Sequence, residues 1–189
     1  GGKDRTAIIQ TDTDFGTAKF LIDDTKVQDR KAAIFEVRSS LAAFKLEGLS
    51  SLKRNQEKIE VSLPKSCLIT VTNSKVKHYI RFGLNQNKGS SQTDIFVVDK
   101  DGKVDMNAPI IWDFEQITDA RALPIDEDTL NITGGIFTTI ANQAESKYNY
   151  HSRNITIKRS NVLVDGLEHR IIGEGEQGAP YQGFITIKD

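Results

Sequence analysis

An all-β protein wound as a β-solenoid is the fold class predicted by this 189-residue chain. Three observations predict it. Short runs of β-branched and aromatic residues recur from one end to the other, punctuated by Gly, Asn, Asp and Ser. One of these runs echoes, as Asn131-Ile132-Thr133-Gly134, Asn154-Ile155-Thr156-Ile157 and Phe184-Ile185-Thr186-Ile187, at offsets of 23 and then 30 residues. A period of that order with a short strand in each repeat is what stacked coils require, because each coil must pair its strands in register with the coil below. With 38% hydrophobic residues, the chain also has enough apolar side chain to fill a core.

The strand-like runs begin with Ala7-Ile8-Ile9, Phe20-Leu21-Ile22 and Ile34-Phe35-Glu36-Val37. They continue through Ile59–Leu63, Leu68–Val71, Tyr79–Phe82, Ile95–Val98, Ile110–Phe114 and Leu130–Thr133 to Asn154–Ile157, Val162–Val164 and Phe184–Ile187. One stretch is ambiguous: Ile34, Val37, Leu41 and Phe44 fall at helical spacing, whereas the alternation Phe44-Lys45-Leu46 before Gly48 reads better as a strand ending at a turn. Within the last third, Val162–Asp165 supplies a second strand, Gly166 a sharp corner and His169–Ile172 a third strand, which makes a three-sided turn. The chain reads as one domain, with entry or cap coils over 1–60, irregular strands and turns over 61–130 and the best-formed coils over 131–189.

The stretch Asn131–Asp189 carries a resemblance, in Asn131-Ile132-Thr133-Gly134-Gly135-Ile136-Phe137, Arg153–Ile157, Asn161–Leu167 and Gly183–Ile187. It resembles the right-handed parallel β-helix of the pectate lyase-like superfamily, which includes polysaccharide lyases, polygalacturonase-type hydrolases and phage tailspikes. The match covers the last third, and Thr11–Gly16 through Asp24 is compatible with entry coils. Members of that group run to many more coils, so the resemblance implies a truncated protein or one completed by a partner, through missing C-terminal coils or a homo-oligomer.

Composition narrows the function classes. Lys and Arg number 25 against 26 Asp and Glu, so no overall positive charge draws the chain to nucleic acid. The single cysteine, Cys67, forms no internal disulfide or multi-cysteine metal site, and its apolar flank Leu68–Val71 suits an inert thiol. No apolar run reaches the roughly 20 residues of a membrane span. The resemblance, rather than the composition, implies a location outside a cell or on its surface.

The densest chemistry lies between His169 and Tyr181. Glu174 and Glu176, two residues apart among glycines, could face one side and couple as general acid and base, with His169 as a proton carrier. Arg170 offers an anion-binding fork and Tyr181 a surface for a sugar ring. A solvated loop between coils is the plainer reading of the same residues. Neighbouring coils would add His151, Arg153, Lys158, Arg159 and Asp165, since stacked strands place side chains about 4.8 Å apart. Lyases of the resembling superfamily hold calcium on acidic residues and use Lys or Arg beside a uronate carboxylate, which implies a metal role for Asp165 and a substrate role for Arg159. Of the Asn-Thr-Asp, Asp-Asp, Gly-His-Gly and Arg-Ile-Lys patterns of the hydrolases, the Asp-Asp pair alone occurs, as Asp23-Asp24 outside the resembling stretch.

Other candidates read more simply as structure. Asp99-Lys100-Asp101-Gly102 departs from a calcium loop and suits a hairpin turn. Asp12, Asp14, Asp23 and Asp24 sit at strand ends, where Asp satisfies local backbone donors. Trp112 in an apolar run is a core residue before it is a sugar platform, and Asn73, Asn85, Asn87 and Asn142 suit asparagine ladders. The expected function is a polysaccharide-recognising β-helix, with cleavage as a lyase or glycosidase or, in another class, a non-catalytic adhesin or tailspike stem.

Overall fold

A computed structural model describes residues 5–29, 32–143, 153–175, 181 and 183–188. Every regular element among them is a strand, and no helix is long and apolar enough to cross a membrane. The chain divides into two compact units, one made of 1–40 with 126–189 and the other of 41–125. The second is therefore inserted in the sequence of the first.

Unit 1 consists of short and long strands that alternate along the chain. The short ones are β1 (Ala7–Ile9), β3 (Phe35–Arg38), β9 (Ile155–Lys158) and β12 (Ile185–Ile187). They pair in parallel in the order β1-β3-β9-β12, with Ile9 opposite Val37, Val37 opposite Ile157 and Ile157 opposite Ile187. The long ones are β2 (Thr13–Asp23) and β8 (Leu130–Ile140), with β10 (Val162–Asp165) and β11 (Glu168–Ile172) following one another along β8. This second sheet is also parallel. Parallel sheets of this kind are compatible with a β-helix; neither sheet closes on itself.

The period differs from the sequence echo. Ile155 does pair with Ile185, at the offset of 30, but Asn131 and Asn154 stand in or beside strands of different sheets. The row that repeats in the long strands is Phe20, Phe137 and His169, directly opposite one another. The Phe20 and Phe137 rings stack at 4.6 Å and 8°, a contact worth about 1 kcal/mol beyond burial. Phe15, Phe35 and Phe184 complete the aromatic cluster, beside an aliphatic core of Ile9, Val37, Leu130, Ile132, Ile155 and Ile157.

The long strands bend at glycine. Gly16 lies opposite Gly134, and Gly166 follows Asp165, whose partner is Thr133; all three glycines have positive φ. A Cβ on Gly134 would lie 2.4 Å from the Gly16 carbonyl oxygen, so the two strands approach there only because a side chain is missing. Gly166 thus makes the corner anticipated from the sequence, although β10 and β11 on either side of it both pair with β8.

Unit 2 is antiparallel, in the order β4-β7-β5-β6, from β4 (Phe44–Lys45), β5 (Cys67–His78), β6 (Ser90–Val98) and β7 (Asp119–Pro124). Alternate residues Cys67, Ile69 and Val71 of β5 and Phe96 and Val98 of β6 point into a core that also holds Leu52, Ile59, Ile110 and Phe114, with Trp112 packed against it. Asp99 and Gly102 form the expected turn: the Asp99 carboxylate accepts from the Asp101 and Lys103 amides, and a side chain at Gly102 would strike the Ile59 carbonyl. Asn73, Asn85 and Asn87 belong to this unit, whose sheet is antiparallel.

Candidate functional site

In a parallel sheet, residues at one position of successive strands become neighbours, so polar side chains at the ends of long strands meet across strands. The largest such meeting is at the end of the second sheet. Asp24, just after β2, is fully buried. Its carboxylate accepts from the Arg153 guanidinium at 2.7 Å and from the Tyr181 hydroxyl at 2.9 Å. The Tyr181 oxygen accepts in turn from the Asn142 amide, just after β8, and the Asn142 side chain donates to the backbone carbonyls of Asp24 and Val27. Burial, first of all, raises the Tyr181 pKa, opposed in part by the hydrogen bond from Asn142, so the phenol stays protonated as a donor. Asp24, Arg153 and Tyr181, remote in sequence, are tied together through one carboxylate, and Asn142 joins them through the Tyr181 oxygen and the Asp24 carbonyl. In the sequence Asp24 reads as a local strand-end cap; the signal for more is its place two residues after the apolar run Phe20–Ile22.

No protein-family model, curated protein or solved structure matches the chain.

A second cluster within unit 1 gathers around Asp126. Arg159 donates to the Asp128 carbonyl at 2.7 Å and lies 3.5 Å from the Asp126 carboxylate, which also accepts from the Ser39 hydroxyl. The Ser160 hydroxyl oxygen accepts from the Asp126 amide, and the Asn161 side chain donates to the Asp126 carbonyl. Arg159 is thus a nearly buried strut holding the start of the β8 segment to the loop after β9.

The remaining residues of interest are distributed. His169 faces inward, its ring stacked on Phe184 at 3.9 Å and 7° and its Nε2 3.0 Å from the Thr139 hydroxyl. Burial lowers its pKa and favours the neutral ring. Arg170 lies on the outer face and pairs with Glu168 at 2.8 Å. Glu174 is exposed beyond the end of β11, while Glu176 and His151 lie outside the described residues. Tyr181 belongs to the Asp24 network through its hydroxyl.

Asp165 is exposed on β10, opposite Thr133, whose other neighbour is Asp14. The two residues therefore stand two strand spacings apart along the sheet, about 9.6 Å between backbones, and Asp14 already accepts from the Thr133 hydroxyl and the Gly16 amide. Nearby, the Asn131 amide and side chain both donate to Asp12, and the backbone hydrogen bond above all holds its carboxyl below the usual range. Among the described residues no group of three His, Cys, Asp or Glu side chains could hold a metal ion. The arrangement brings His169 and Arg170 onto one strand with opposite orientations, and draws Tyr181, Arg159 and Asp165 to three separate places.

Chemically, these clusters are suited to hold backbone in place. Asn154 repeats the pattern on the short-strand side: buried, it donates to the Gly183 carbonyl and to the Thr186 hydroxyl, while its own oxygen accepts from Thr156. Asn142 likewise donates across segments, to the Asp24 and Val27 carbonyls.

Proposed function

We propose that unit 1 is a set of coils of a right-handed parallel β-helix and serves as a non-catalytic structural or adhesive module at the cell exterior. One observation carries the reading: side chains of catalytic type are engaged in bonding one strand layer to the next. His169 is stacked on Phe184 and bonded to Thr139, Arg159 is bonded around Asp126, and Tyr181 is bonded to Asp24. A general base or an anion fork needs an orientation toward substrate that these bonds take away.

Polysaccharide recognition is the second reading, favoured by the outer face of the long strands. Lys19, Ile136 and Glu168 form one row across it, and Leu21, Thr138 and Arg170 the next. A face with charged and apolar groups repeated at the strand spacing suits an extended polymer better than a small molecule.

Incubation of the chain with acidic and neutral polysaccharides, with and without calcium, tests both readings when unsaturated ends, reducing ends and retained glycan are all followed. The scaffold reading predicts no new ends of either kind. Retention without cleavage, weakened in Arg170→Gln, would support glycan binding by the outer face. Cleavage that is lost in Glu174→Gln or Glu176→Gln with folding intact would overturn the non-catalytic reading and restore paired-carboxylate chemistry.

A further inference from the structure

The most unusual surface in the molecule is the end of the β5–β6 hairpin in unit 2. Tyr79-Ile80-Arg81-Phe82 has the composition of a strand, yet it lies past the last paired residues, His78 and Ser90. Tyr79, Phe82 and Leu84 are 75%, 87% and 94% exposed, and Ile80 is about half exposed. Apolar side chains this open are normally single and scattered; four within six residues at one convex tip are not.

The loop is built rather than frayed. The Asn87 side-chain oxygen accepts from the Arg81 and Gly89 amides, and the Gln86 amide donates to the Gly83 carbonyl. Left-handed backbone at Tyr79, Gly83, Asn85 and Gly89 produces the reversals. A Cβ on Gly89 would meet the Ile80 side chain at 2.8 Å and the His78 carbonyl at 3.0 Å, so glycine closes the neck of the loop. The effect is to hold Phe82 and Leu84 outward on hydrogen bonds that involve neither side chain.

Charge is segregated in the same segment. No acidic residue occurs from Val61 to Thr93, and the stretch carries Lys65, Lys75, Lys77, Arg81 and Lys88, so a chain of net charge −1 is +5 here and −6 elsewhere. Four of those five cations flank the apolar tip. Pairing of two copies tip to tip would bring these like charges together. A nucleic acid would use the aromatic rings and cations but offers nothing to Ile80 and Leu84. A surface with anionic groups above an apolar layer answers both halves of the pattern, because aromatic and aliphatic tips enter the headgroup boundary while Lys and Arg meet the phosphates.

We propose that the 79–88 loop is an anchor that inserts Phe82 and Leu84 into the interface of an anionic lipid surface. The anchor lies on the surface and spans nothing. Co-sedimentation of the full chain with phosphatidylcholine vesicles, with and without phosphatidylserine, tests it. The chain should pellet with the phosphatidylserine vesicles at low salt and much less at high salt. Phe82→Ser/Leu84→Ser should lower the partition coefficient by at least about tenfold, and Arg81→Gln and Lys88→Gln by about fivefold each. Urea midpoints equal to that of the parent would show that the variants remain folded, as exposed positions allow. Absence of pelleting, or equal pelleting by Phe82→Ser/Leu84→Ser, would overturn the proposal. So would concentration-dependent self-association by light scattering that the same variant abolishes, which would assign the tip to a second copy.

Discussion

Asp24→Ala should be among the most damaging single substitutions in unit 1, and its cost can be reasoned from the hydrogen bonds it breaks. The carboxylate is fully buried and is approached at 2.7 Å by an Arg153 side chain that is itself only 11% exposed. Removing one partner of such a pair leaves a charge without compensation, which costs about 3–5 kcal/mol, whereas the intact pair adds much less than that relative to an apolar replacement. The Tyr181 hydroxyl loses its acceptor as well, a further cost of about 1 kcal/mol that overlaps with the first. At a urea dependence of about 2 kcal/mol per molar, a loss near 4 kcal/mol moves the midpoint by about 2 M. Far-ultraviolet circular dichroism is the suitable probe, because the only tryptophan, Trp112, belongs to unit 2. Asp24→Ala/Arg153→Met should recover a large part of the loss, since the stranded charge goes with the arginine. A midpoint shift equivalent to less than about 1 kcal/mol, or a double variant costing the sum of the two singles, would refute the idea that this network clamps the strands together.

Two further outcomes follow from the same unit. Burial holds the His169 imidazole below its usual pKa, so the unfolded chain binds that proton more tightly; this share of stability is whole above about pH 6.5 and is lost as pH falls through the folded-state value. His169→Phe, which continues the Phe20 and Phe137 row, should flatten the acid side of the stability profile measured by urea unfolding between about pH 5 and pH 7.5, and an unchanged slope would place the titration elsewhere. Gly134→Ala should cost about 2 kcal/mol or more, because its Cβ would meet the Gly16 backbone at a left-handed position, while Gly16→Ala, which meets nothing within 4 Å, should cost only about 1 kcal/mol; thermal unfolding of the pair separates collision from backbone strain.

Much of the architecture was legible because strand-forming residues betray themselves locally. β-branched runs at Ile155–Ile157 and Ile185–Ile187 stand in register 30 residues apart, as their echo implied. The stretch around residue 40, open between helix and strand, contains β3 and β4 with no helix between them. The offset of 23 misled because Asn131 and Asn154 share a local pattern without sharing a sheet. The partner relation between Val37 and Ile157 was hidden by the inserted segment 41–125, which breaks any fixed period. Tyr79–Phe82 was read as a strand since its residues favour one, but propensity cannot tell whether a partner strand reaches that far. The site was harder still. A buried Asp24 and a solvated one have the same letter, and only the arrival of Arg153 and Tyr181 from more than 120 residues away distinguishes them.

That difficulty has a physical cause with a functional consequence. Every coil of a parallel stack must turn corners, and each corner leaves backbone amides and carbonyls that water cannot reach. Asn, Asp, Ser, Arg and Tyr satisfy them, and these are also the residues from which hydrolytic sites are made. Residue type alone therefore cannot separate a corner from a catalyst in such a fold; the test is whether a side chain's bonds are already used inside the stack. Asp24, Arg153, Arg159 and Asn154 fail that test for catalysis, each bonded across layers. The hairpin tip is the opposite case: its backbone bonds are closed within the loop by Asn87, while Phe82 and Leu84 stand in water at a cost that folding of this chain does not recover. A cost kept in the folded state and localised beside four cations is best accounted for by something outside the chain that removes it.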